Sequence, residues 1–305
     1  MSTVQRAQAN GIEIAYETFG DRSDPAVVLV MGLGTQMLAW PDALCQDLAG
    51  RGHYVVRYDN RDTGESTHFP GVRAPSLPAL ISGRRKPPYT IEDMADDGLG
   101  LIDALDLETV HLVGASLGGF IAQTIALRAP GRLRSLTLFM TSTGSRLVGQ
   151  VDPKLAKRLL QGRKVSNREE AMDSVVETFR VIGSKGYALD EEHLRDLAGR
   201  SYDRGYDRGG YLRQLAAATT QQNRTDQLKH LDVPTLVIHG LHDRLVRPSG
   251  GLAVAKAVPG ARFVGYSGMG HDLPRPLWGA FADEITALAR QADSGQVPRS
   301  ERRSA

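Results

Sequence analysis

One segment constrains the fold of this chain more than any other: Val110-His111-Leu112-Val113-Gly114-Ala115-Ser116-Leu117-Gly118-Gly119. A short apolar run of strand length passes without a spacer into a glycine-flanked serine. Behind it Phe120, Ile121, Thr124, Ile125 and Leu127 to Ala129 read as one buried helix, closed by Pro130-Gly131. A G-x-S-x-G pattern between strand and helix is a nucleophile elbow: the serine sits in a strained turn that pushes its Oγ into the open, and Gly114 and Gly118 lack the Cβ atoms that would block that turn. An ordinary turn can carry the same five letters, and the flanking strand and helix separate the two readings. Ser116 is therefore the candidate nucleophile.

Short apolar runs alternate with helix-like segments along the rest of the chain, which predicts an α/β fold with a mostly parallel, doubly wound sheet. Ile12 to Phe19 alternates like an edge strand, Ala26 to Met31 is continuously apolar, and His53 to Tyr58 follows the helix-like stretch Trp40 to Arg51. The loop from about Asp59 to Tyr89 carries Pro70, Pro75, Pro78, Pro87 and Pro88 and should be irregular. Thr90 is placed to cap a helix running through Met94 to Leu105, and Leu133 to Met140 reads as a strand. From Ser142 to Thr220 the rhythm changes to amphipathic segments (Pro153 to Leu160, Asn167 to Ile182, Glu191 to Leu197, Leu212 to Ala218) with no convincing strand. The sheet pattern resumes at Pro234 to Ile238, passes through a helix near Gly251 to Val258, and returns at Arg262 to Tyr266 before a last helix, Leu277 to Arg290. The expected organisation is a core of residues 1–141 and 221–295, a helical lid inserted at 142–220, and a disordered tail at 296–305. The tandem Tyr202-Asp203-Arg204-Gly205 and Tyr206-Asp207-Arg208-Gly209 is too short to be an architectural repeat; it reads equally as a charged turn or as substrate contact.

Composition narrows the partners. The chain has 305 residues, 41% hydrophobic and 24% charged, with a formal net charge of +2. Near-balanced charge without basic stretches interleaved with aromatics argues against nucleic acid. The basic patches Arg84-Arg85-Lys86 and Arg299 to Arg303 read as a solvated loop and a frayed tail. No apolar run approaches membrane-span length and the N-terminus has no apolar leader, so the expected location is the cytoplasm, as a monomer or homodimer. The single cysteine, Cys45, reads as a small core residue. No Cys/His group has zinc spacing and no glycine loop has phosphate-binding spacing, so neither metal nor nucleotide cofactor is implied.

A serine hydroxyl needs a neutral imidazole to take its proton and a carboxylate to orient that imidazole, and after an elbow these follow in the order Ser, acid, His. Asp243 lies in Leu241-His242-Asp243-Arg244, after a strand ending at His239-Gly240, and is the candidate acid. His271 lies in Gly268-Met269-Gly270-His271-Asp272 after the last strand and is the candidate base. His239 and His242 lie near the acid but do not follow the final strand. The competing location for the acid, Thr141-Ser142-Thr143, holds no carboxylate, and Asp272 is expected to face solvent or cap the turn that follows it. An oxyanion needs two backbone donors: Leu117 N–H, directly after the nucleophile, and Leu33 N–H in Met31-Gly32-Leu33-Gly34. Activity should fall in acid, where His271 becomes an imidazolium that cannot act as base.

Together these residues resemble the α/β-hydrolase superfamily. More narrowly, Tyr58-Asp59-Asn60-Arg61-Asp62-Thr63-Gly64-Glu65-Ser66-Thr67, Met31-Gly32, Trp40-Pro41-Asp42 and Gly268-Met269-Gly270-His271 are similar to actinobacterial lipase/esterases, the branch that includes the aclacinomycin-type methylesterases. The resemblance implies a cofactor-independent serine hydrolase of carboxylic esters with Ser116, Asp243 and His271 as its triad. It also implies that Arg61-Asp62-Thr63-Gly64 is a hydrogen-bonded corner beneath the site. The segment between Ser142 and Thr220 has no obvious methylesterase counterpart, which leaves the ester open. Dehalogenases and epoxide hydrolases are disfavoured because they need aspartate in place of Ser116. Alternatives with the same triad are a cofactor-free perhydrolase or haloperoxidase, and a slow-turnover ligand-binding sensor.

Overall fold

In the computed structural model, which describes residues 3–82, 84–155 and 165–295, eight strands form one sheet. They are β1 (Gln5–Ala9), β2 (Ile12–Phe19), β3 (Ala26–Val30), β4 (Tyr54–Tyr58), β5 (Val110–Ala115), β6 (Leu133–Phe139), β7 (Thr235–Gly240) and β8 (Arg262–Tyr266), in the spatial order β1-β2-β4-β3-β5-β6-β7-β8. The pairs β1–β2 and β2–β4 are antiparallel and all others are parallel. Every residue of β3, β4, β5 and β7 is buried, as expected where helices cover both faces.

Strand alternation divides the core into two layers. Val28, Val30 and Leu112 point into one layer, with α3 (Ile91–Ala104) and α4 (Leu117–Arg128) supplying Met94, Leu101, Ile121 and Ile125. Val27, Leu29 and Val113 point into the other, against α1 (Asp42–Gly50) and the last helix, Trp278–Asp293. There Trp40, Phe139, Phe281 and Tyr266 make a chain of edge-to-face ring contacts with centroids 5.2–5.8 Å apart. Cys45 is buried in this layer, as expected. Thr90 caps α3 through a reciprocal capping box with Asp93.

Two expectations need correction. Ile12 to Phe19 is not the edge: β1 covers it, joined to it by a two-residue Asn10-Gly11 hairpin with both φ angles positive, 50° and 76°. The strand Gln5-Arg6-Ala7-Gln8-Ala9 is mostly solvated and polar, so it carries no hydrophobic periodicity by which to recognise it. The loop after β4 is not wholly irregular, since it contains a five-residue helix, α2 (Leu77–Ile81). Arg84, Arg85 and Lys86 of that loop are exposed.

Between β6 and β7 lie α5 (Arg168–Ile182), α6 (Glu191–Asp203), α7 (Arg208–Thr220) and the short α8 (Thr225–Leu228). The first three match expected segments, with α6 and α7 extending beyond the predicted ends. Pro153 to Leu155 are helical, while the rest of the segment to Leu160, like the tail from residue 296 with its basic patch, lies outside the described residues. After β7 come α9 (Ser249–Ala257), β8 and α10 (Trp278–Asp293). Among the described residues no helix is long and apolar enough to cross a membrane.

Candidate active site

Because β3, β5, β7 and β8 run parallel, the loops that follow them emerge on one rim of the sheet, and these are the loops that carry the candidate residues. Ser116 follows β5 and stands at the N-cap position of α4 with φ 55° and ψ −115°, a positive-φ conformation that L-residues avoid. The turn around it is held by Ser116 N donating to Phe139 O and Thr141 Oγ1 donating to Ser116 O, at 2.9 and 3.0 Å. A Cβ on Gly114 would strike the Gly118 carbonyl, and one on Gly118 would strike the Val30 carbonyl. Both glycines are therefore required by close backbone approach.

His271 lies between the other two candidates. Its Nδ1 stands 2.7 Å from Asp243 Oδ2 and its Nε2 stands 3.0 Å from Ser116 Oγ. A carboxylate can only accept, so Nδ1 carries the proton and Nε2 offers its lone pair to the serine hydroxyl. Asp243 is buried, and its Oδ1 accepts from Leu245 N at 2.8 Å and Val246 N at 2.9 Å, which fixes the plane of the carboxylate. His239 Nε2 stands 3.5 Å from Asp243 Oδ2, the oxygen that also meets His271, and donates to Val246 O at 2.8 Å; burial pushes its pKa below the ordinary imidazole value. His242 serves a turn by accepting from Gly268 N at 3.0 Å. Neither of these reaches the serine in place of His271.

Leu117 is the first residue of α4, so its amide has no partner within the helix. Gly32, Leu33 and Gly34 line the same cavity as Ser116, and Gly32 lies so close to the serine that a Cβ there would stand 3.1 Å from Ser116 Cβ. Of the two expected oxyanion donors, Leu33 therefore lines the cavity that holds Ser116, and Leu117 is the residue that follows the serine in the chain. The cavity has a volume of about 450 Å³. Helices α5 and α6 supply much of its wall through Val175, Phe179, Leu194 and Leu197, with Tyr211, Tyr187 and Trp278 adding aromatic surface.

The expectation for Asp272 is overturned. Its Oδ1 accepts from Ser184 N at 2.9 Å and Ser184 Oγ at 2.6 Å, in the turn that follows α5. Burial raises its pKa, and the two Ser184 bonds oppose that rise. Ser184 Oγ also accepts from Gly270 N at 3.0 Å, His271 N donates to Ile182 O at 2.9 Å, and Lys185 and Gly186 N both donate to Gly268 O at 2.9 Å. The histidine loop is thereby laced to the inserted segment. No local signal around Ser184 marks that role, because its partners lie 86 and 88 positions away.

The corner Arg61 to Gly64 is hydrogen-bonded as expected and also contributes Asp62, Thr63 and Gly64 to the cavity wall. Arg61 pairs with Asp97, and Asp62 pairs with Arg213 of α7. In the tandem segment Arg204 reaches Asp59 at 2.8 Å, Glu65 at 2.9 Å and Gln36 at 2.8 Å, while Tyr202, Gly205, Tyr206 and Asp207 line the cavity. It is both a charged turn and a piece of the wall. Asp62, His68 and Asp207 approach one another closely enough to suggest a metal site, but Arg213 Nη2 already sits between the two carboxylates at 2.6 and 2.8 Å.

A family model described as the alpha/beta hydrolase fold matches residues 25–274, and the chain belongs to that family. Among characterised relatives it is 29% identical over 299 residues to the rhodomycin D methylesterase DauP of Streptomyces sp. (strain C5), covering 90% of this chain and 94% of the relative. It is 28% identical to the rhodomycin D methylesterase DnrP of Streptomyces peucetius, with the same coverage. Among solved structures, the enol-lactonase from Burkholderia xenovorans LB400 superposes with a TM-score of 0.74 at 25% identity, covering 94% of this chain and 100% of that one. The 2-hydroxy-6-oxo-6-phenylhexa-2,4-dienoate hydrolase from Rhodococcus sp. strain RHA1 does so at 0.72 and 20% identity, over 95% of this chain and 100% of the other, and so shares the fold.

Proposed function

We propose that this chain is a serine hydrolase of carboxylic esters, with Ser116 as nucleophile, His271 as base and Asp243 as the orienting acid. The observation that carries this reading is the continuous relay from Asp243 Oδ2 through both nitrogens of His271 to Ser116 Oγ, at 2.7 and 3.0 Å. Ser116 Oγ attacks the ester carbonyl as its proton passes to His271 Nε2, and Asp243 stabilises the imidazolium that forms. The carbonyl oxygen, now negative, is held by the backbone N–H groups of Leu33 and Leu117, each worth about 3 kcal/mol in the transition state. His271 returns its proton to the departing alcohol, leaving an acyl-enzyme on Ser116. Water enters, gives a proton to His271, and attacks the acyl carbon; the acid is released and Ser116 recovers its proton.

The methylesterase names of the relatives and the apolar, partly aromatic wall of the cavity both support a small or hydrophobic ester as substrate. On this reading residues 142–220 form the lid that encloses it. A p-nitrophenyl ester series from acetate to palmitate, together with an aromatic methyl ester, tests the proposal. Turnover abolished by Ser116→Ala supports it, and turnover that survives the substitution, or no turnover on any ester by folded protein, removes it.

A further inference from the structure

Gln214, on the third inserted helix, is fully buried and lies 180 positions from the loop it touches. Its Oε1 accepts from Gly34 N at 2.7 Å, and its Nε2 donates to Arg61 O and Thr63 Oγ1, both at 2.7 Å. Both ends of the amide are thereby engaged, and they tie the Gly32-Leu33-Gly34 loop to the Arg61–Gly64 corner. One turn earlier on α7, the Tyr211 ring packs against Gly34, which has φ +61°. Helix α7 is itself anchored beside that corner, because Arg213 pairs with Asp62 and donates to Val72 O at 2.8 Å.

The loop needs such a tie. Leu33 stands between two glycines, so its peptide planes have little intrinsic preference, whereas an oxyanion donor must keep its place to a fraction of an ångström. Within the loop, Thr35 N donates to Gly32 O at 3.3 Å and Thr35 Oγ1 to Leu33 O at 3.1 Å. Asn60 Nδ2 holds the start of the loop by donating to Met31 O at 2.9 Å, and Gln214 grips its far end at the Gly34 amide. Gln214 itself stands behind the cavity wall that Thr63 and Tyr211 help to form. Resting on the serine-esterase reading, we infer that Gln214 is a positioning residue for the oxyanion hole: it holds the Leu33 amide toward Ser116 without touching substrate.

The test compares wild type, Gln214→Leu and Gln214→Asn by ester turnover, by affinity for an arylboronic acid that forms a tetrahedral adduct on the serine, and by affinity for a non-hydrolysable ether of the same shape. A donor displaced by about 1 Å costs on the order of 100-fold, so kcat should fall by roughly 10- to 100-fold with KM nearly unchanged. Boronate affinity should fall in parallel while ether affinity holds. The asparagine variant keeps the amide but shortens its reach, so it should lose less than leucine; if the leucine variant does not fold, the asparagine variant decides. Folded variants with wild-type kcat, or with boronate and ether affinities falling together, would overturn the inference. If Ser116→Ala leaves activity intact, the esterase reading fails instead, and the two failures are told apart.

Discussion

At the scale of single residues, the site is a set of atoms held in positions they would not choose alone. Ser116 keeps its positive-φ backbone because the bonds to Phe139 and Thr141 and the tight approach of Gly114 to Gly118 leave it no alternative. Two glycines beside it should therefore respond differently to alanine. In Gly118→Ala the new Cβ meets the Val30 and Met31 carbonyls, which belong to the central sheet and its edge loop. Loss of native melting is the expected result, read by calorimetry. In Gly32→Ala the new Cβ stands 3.1 Å from Ser116 Cβ and 3.6 Å from its Oγ. That protein should fold, with ester turnover reduced tenfold or more because a methyl group crowds the point of attack, on the order of the loss from a 1 Å misplacement. For Asp243→Asn we expect kcat to fall by about 10⁴ with the fold intact, since an amide can hold His271 in the wrong tautomer. A pre-steady-state burst assay would register that loss in the acylation step.

At the scale of elements, the inserted helices are joined to both halves of the site. The turn after α5 laces the histidine loop through Ser184, and α7 reaches the opposite loop at Gly34. Ser184→Ala removes the hydroxyl that bridges Asp272 and the Gly270 amide; Asp272 keeps its bond from Ser184 N, while the buried Gly270 amide loses its partner, a cost of about 1–3 kcal/mol. The melting temperature should fall accordingly. Because the freed loop carries His271, kcat should fall several-fold while KM changes little; equal loss at every substrate concentration would be the signature, and unchanged kcat would separate the strap from catalysis. The N-terminal cap of α3 is a simpler case: Thr90→Ala should cost about 1 kcal/mol with activity unaffected, measured by urea denaturation.

At the scale of the whole molecule, the buried pair His53 and His111 makes the fold acid-sensitive. Their rings meet edge to face at 6.0 Å, His111 within β5 and His53 just before β4. Burial lowers both pKa values, that of His111 to about 4; Asp293, 3.6 Å from His111 Nε2 and beyond hydrogen-bond reach, offsets this only in part. Asp24, Arg134 and Arg290 also bear on the pair. Between the ordinary imidazole value and about 4, the unfolded chain binds protons that the native state refuses, so stability present at neutral pH is lost as pH falls through that window. A loss on the order of a few kcal/mol is expected by pH 4. Replacing His111 with Gln should flatten the dependence of melting temperature on pH, and an unchanged slope would remove the pair as its cause.

What the sequence alone determined is what depends on neighbours in the chain. The strand–turn–helix at Ser116, the N-cap at Thr90 and the apolar parallel strands are local patterns, because each is set by neighbours in the chain. The polar edge strand β1 escaped that logic, since a solvated strand has no apolar period to display. What only the tertiary structure decided is which distant groups complete the site. Ser184, Asp272, Arg204 and Gln214 are ordinary polar residues in their own segments, and they acquire their places when the inserted helices close over the rim and each buried donor must find an acceptor. Hydrogen bonds across 86 to 180 positions leave no periodicity in the chain; they follow from satisfying buried polar groups after the sheet and its cover have packed.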